Sequence, residues 1–103
     1  MATPVIVTLP HQLGRAEARR RIDNGFAKIT QTLPGSAGSA SQRWEGDRLV
    51  FAIVTLGQRI TGVIDVLDAS VRIEIELPGV LGMLARGLKD RLRSAGQLLL
   101  TKK

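Results

Sequence analysis

The stretch VRIEIELPGVLGMLARGLKDRLRSAGQLLL, residues 71–100, places two periodicities back to back. Val71, Ile73, Ile75 and Leu77 alternate with Arg72, Glu74 and Glu76. That is the two-residue repeat of a strand with one face in a core and one in water. Pro78-Gly79 ends the repeat. Beyond it, Leu81, Leu84, Leu88, Leu92, Ala95 and Leu99 recur every three or four residues, which predicts a helix to about Leu100. A one-sided strand followed by an amphipathic helix is the signature of a sheet covered by helices.

Working outward, residues 59–66 and 48–55 read as two more strands, and a short one holds Trp44. Gly46-Asp47 and Asp68–Ser70 supply tight turns, so these strands are antiparallel neighbours. PGSAGSASQ, residues 34–42, reads as a flexible loop. Before it, Ala18, Ile22, Phe26, Ile29 and Leu33 mark a first helix that starts after Gly14 and stops at Pro34. Glu17 with Arg21, Arg19 with Asp23, and Arg86 with Asp90 are spaced for ion pairs one helical turn apart. Residues 4–9 form an opening strand. The order is β-α-β-β-β-β-α, which predicts a single α+β domain over residues 1–103. It has two layers: an antiparallel sheet of about five strands with two helices on one face.

The chain has 103 residues, 44% of them hydrophobic and only 3% aromatic, so its core is aliphatic. It has no cysteine, which excludes disulfides, thiolate catalysis and cysteine-based metal sites. The start MATPVIVTLPH lacks the basic and apolar regions of a signal peptide, and the longest apolar run, residues 49–56, is too short to span a bilayer. A cytoplasmic protein without a transmembrane segment is expected. The formal net charge is +6, concentrated in residues 11–28 and 86–103, whereas residues 42–77 are net acidic. Such a pattern suits an anionic partner.

Two surfaces stand out. The strand at 48–55 is apolar on both faces, with Val50, Ala52 and Val54 opposite Leu49, Phe51 and Ile53. The outer side is either modest β-branched exposure, a sheet-to-sheet homodimer, or a patch for a hydrophobic ligand or surface. The C-terminal helix carries Arg86, Lys89 and Arg93 opposite its leucines. Its polar side is either a solvated face or a contact with a lipid surface. Gly82, Gly87 and Gly96 lower its helix propensity and open it to close packing or rearrangement.

Catalytic chemistry finds little support. His11, the sole histidine, has no nucleophile at recognisable spacing and reads as a strand-to-helix corner residue. No enzyme activity, metal or cofactor is expected. Arg19, Arg20 and Arg21 span about 200° of a helix and lack interleaved aromatics, so specific nucleic-acid binding is not expected. His11, Arg15 and Arg19 are the partner-binding candidates near this corner. A carrier of a small hydrophobic ligand, lined by Phe26, Phe51, Leu84 and Leu88, and an electrostatic nucleic-acid binder are the rival functions.

Ordered motifs run through the chain: PH-x-LGR-x-x-A-x-x-R (Pro10 to Arg21), W-x-GD-x-L-x-F (Trp44 to Phe51), G-x-IDV (Gly62 to Val66) and the closing Leu77-Pro78 with its helix. In this order the chain resembles the polyhydroxyalkanoic acid system proteins, small bacterial proteins associated with polyester-granule gene regions. The resemblance implies a cytoplasmic accessory role in polyester storage, granule-associated or regulatory. It brings no catalytic residue.

Overall fold

The computed structural model describes residues 3–30, 40–55 and 57–101. Its elements are β1 (Thr3–Pro10), α1 (Arg15–Thr30), β2 (Ala40–Glu45), β3 (Arg48–Thr55), β4 (Gln58–Val66), β5 (Ser70–Leu77), a 3-10 segment (Gly79–Leu84) and α2 (Ala85–Thr101). The five strands form one sheet in the order β1-β5-β4-β3-β2, every pair antiparallel. The expected class, order and two-layer plan hold.

Alternation decides which side is covered. Val5, Val7 and Leu9 of β1, Leu49, Phe51 and Ile53 of β3, Ile60, Ile64 and Val66 of β4, and Val71, Ile73, Ile75 and Leu77 of β5 are buried under the helices. Ala18, Ile22 and Phe26 of α1 and Leu88, Leu92 and Leu100 of α2 complete this core. Phe26 meets Phe51 edge-on, with ring centroids 5.2 Å apart. At Gly96, α2 lies so close to β1 that a Cβ would collide with the Leu9 side chain.

The structure departs from the sequence reading at three places. Ala40, Ser41 and Gln42, expected in the loop, open β2 and pair with Ile53, Ala52 and Phe51. None of the three is β-branched or aromatic, so they carry little strand signal, and the ladder to β3 supplies what propensity does not. The rest of that loop, residues 34–39, and the expected end of the first helix beyond Thr30 lie outside the described residues. The C-terminal helix does not run straight from Pro78-Gly79. Its first six residues are 3-10, entered from Pro78 without a side-chain cap. A 3-10 segment advances three residues per turn, so positions phased for an α-helix do not line up. Leu84, counted in the buried stripe, is 37% exposed.

Candidate functional site

The corner between β1 and α1 gathers most of the motif residues at one end of the sheet. Gly14 sits at φ +79, a left-handed conformation that favours glycine and lets the chain turn into α1. His11 is 8% exposed. Its Nδ1 accepts from the Leu13 N–H at 3.2 Å, so the neutral tautomer donates from Nε2 to the Leu67 carbonyl at 3.0 Å. The His11 N–H also donates to the Ala69 carbonyl at 3.0 Å. Both ring nitrogens are thereby committed to the backbone of the corner and of the β4–β5 turn.

Arg15 ties the same corner to two turns. It lies 3.2 Å from Asp47 Oδ2 in the β2–β3 turn and 3.2 Å from Asp68 Oδ1 in the β4–β5 turn. The Val66 N–H donates to the Asp47 carbonyl at 2.9 Å, which joins the β2–β3 turn to the end of β4. His11 and Arg15 are therefore a structural clasp.

The arginines of α1 are engaged locally as well. Glu17 takes Arg20 at 2.6 Å and Arg21 at 2.9 Å. Hydrogen bonds from these two guanidiniums hold its carboxyl down at about 2, against an ordinary 4.5. The expected Arg19–Asp23 pair is replaced. Asp23 accepts from Trp44 Nε1 at 2.9 Å, and the Arg19 guanidinium lies 4.3 Å from the Trp44 ring centroid. The indole thus recruits both residues, through a hydrogen bond to one and a cation–π contact to the other. Arg86 and Asp90, also spaced for a pair, do not form one among the described residues.

Arg86, Lys89, Arg91 and Arg93 of α2 are exposed, and among the described residues none has an acidic partner. At the N-terminal end of this helix Val80 is 66% and Met83 88% exposed. The sequence reading missed this apolar tip, because it phased the first turn as α-helix.

On the open side of the sheet, Val50 and Ala52 are half-buried and Val54 is exposed, as expected for this strand. The register adds residues that the strand-by-strand reading did not assemble. Val63 of β4 lies opposite Val50, and Ile6 of β1 lies opposite Glu74 of β5. An open trough of about 510 Å³ runs over Val50, Ala52, Thr61 and Val63, with Arg43 and Arg59 on its rim and Glu74 and Glu76 beside them. Of the four residues expected to line an interior carrier site, Phe26 touches Phe51 and Leu88 is buried, whereas Leu84 is exposed.

Among the described residues, no helix is long and apolar enough to cross a membrane, and no three His, Asp or Glu side chains cluster to hold a metal ion. Fold and surfaces together define a small two-layer α+β domain with a clasped corner, a basic helix face and an open apolar sheet face. The chain belongs to the family described as "Putative polyhydroxyalkanoic acid system protein", whose model matches residues 5–99. No curated protein and no solved structure matches it.

Proposed function

We propose that this protein is a non-enzymatic accessory of polyhydroxyalkanoate storage that sits in the cytoplasm on the granule surface and binds it through α2. Family membership supports the polyester context. The observation that carries the surface is the unpaired cationic face of Arg86, Lys89 and Arg93 beside the exposed Val80 and Met83. Cations near an anionic lipid surface contribute about 1 kcal/mol each, and apolar side chains that insert beside them add burial. The committed His11 ring and the clasped Arg15 favour a binding role over catalysis. A nucleic-acid reading is weaker, because Arg15, Arg19, Arg20 and Arg21 are already engaged within the fold.

Fractionation of polymer-accumulating cells tests this reading. The protein is expected to sediment with granules, and purified protein with anionic but not zwitterionic vesicles. Arg86→Glu with Lys89→Glu and Arg93→Glu should release it from both. A wild-type protein found wholly in the soluble fraction, with granule number and size unchanged on deletion, would refute the proposal.

A further inference from the structure

The open face of the sheet carries charges in an order that fits a copy of itself. Cross-strand register sorts its outward side chains into rows. One row reads Glu45, Arg48, Asp65, Arg72, Thr8 from β2 across to β1. The next reads Arg43, Val50, Val63, Glu74, Ile6. A two-fold axis parallel to the strands, placed between β3 and β4, exchanges β2 with β5 and β3 with β4. It sets Arg43 against Glu74 of a second copy, Glu45 against its Arg72, Arg48 against its Asp65, and Val50 against its Val63. Every charge in these two rows that gains a counterpart meets the opposite sign.

We infer that this face is a homodimer interface in which two sheets pack face to face about that axis. An isologous contact requires a self-complementary surface, and this face has one. The basic α2 face would instead meet its own charge. Packing at the sheet edge is less suited: β1 carries Pro4 and Pro10, which donate no backbone hydrogen bond. The area suffices. With strands about 4.8 Å apart and rising about 3.3 Å per residue, the four strands that overlap about this axis, β2 to β5, present roughly 500 Å². Two such faces bury about 1,000 Å², the least that a specific interface needs. Sheets packed this way cross at about 30°, which the long Arg and Glu side chains can follow. The trough is then closed by the partner. This inference is independent of the granule reading.

Light scattering after size exclusion, with circular dichroism to confirm folding, is the test. Wild type is expected at twice the chain mass. Val50→Lys should give a folded monomer. Arg43→Glu should weaken the dimer roughly tenfold or more by facing Glu74 with a like charge, and adding Glu74→Arg should restore it. Because the chain lacks cysteine, Ala52→Cys and Ser94→Cys place single thiols on the open sheet face and the outer side of α2. A short bis-maleimide should cross-link the first and not the second. A monomer at every concentration, a monomer that takes hydroxyalkanoate oligomers into the trough, or Ser94→Cys cross-linking better than Ala52→Cys would each overturn the inference.

Discussion

His11 is costly to replace because its ring satisfies two part-buried backbone groups at that corner. Removing its ring leaves the Leu13 N–H and the Leu67 carbonyl without their bonds of 3.2 and 3.0 Å. An orphaned buried polar group costs about 1–3 kcal/mol, so His11→Ala should lose about that much stability in urea denaturation. An unchanged midpoint would show that the imidazole does not hold the corner. Glu17 makes a different prediction, because it titrates. Its carboxyl is held at about 2 in the folded chain against an ordinary 4.5. The lowered value means that its contribution is complete above about 4.5 and fades as the pH falls toward about 2. The gap in melting temperature between wild type and Glu17→Gln should therefore be widest near neutrality and close across that window. A gap that stays constant down to pH 2 would contradict the arginine contacts. Residue identity made both positions conspicuous in the sequence, but not what they touch. Trp44 is the clearest case: it takes Asp23 as an acceptor and stacks Arg19, so a helical spacing that suits an Arg19–Asp23 pair gives way to a partner from β2.

Along α2, two glycines of the same sequence character play opposite parts. A Cβ at Gly87 would meet nothing within 4 Å, whereas one at Gly96 would collide with the Leu9 side chain of β1. Gly87→Ala should stabilise the fold by about 0.5–1 kcal/mol through helix propensity alone. Gly96→Ala should cost about 1–3 kcal/mol by overpacking. Thermal or chemical denaturation of the pair settles it, and two changes of the same sign would mean that α2 does not sit against β1 at Gly96. The sequence showed that the helix is amphipathic and that its glycines need a reason. Which one is a contact depends on where α2 crosses β1, and local periodicity does not encode that. The same limit explains Leu84. Its spacing fits an α-helical stripe, but the turn it sits in is 3-10 and ends in the exposed tip with Val80 and Met83. At the other end of the sheet, Ala40–Gln42 look like loop in isolation and are strand only because β3 offers them a ladder.

At the scale of the whole molecule, charge is divided between the two layers. The open sheet face carries Arg43, Arg48, Arg59 and Arg72 against Glu45, Asp65, Glu74 and Glu76, and is balanced. Arg86, Lys89, Arg91 and Arg93, which have no acidic partner among the described residues, lie on α2, on the opposite side. The sequence already placed the positive charge on its helices and a net acidic balance between them. It did not show the opposite-sign rows, because register brings together residues far apart in the chain, such as Arg48 and Asp65, bonded at 2.6 Å. A face-to-face dimer would turn both α2 surfaces outward in opposite directions, and each would present its own cationic strip. Such a particle is bivalent, so it should bridge two anionic surfaces where a monomer could only coat one. Dynamic light scattering on anionic vesicles reads this directly: wild type should raise the apparent size several-fold and reversibly with salt. Val50→Lys should still sediment with the vesicles but leave their size unchanged. The Arg86→Glu, Lys89→Glu, Arg93→Glu variant should remain dimeric and neither sediment nor cluster. Clustering by a folded, monomeric Val50→Lys would break the link between the open sheet face and bridging, even if α2 still binds the membrane.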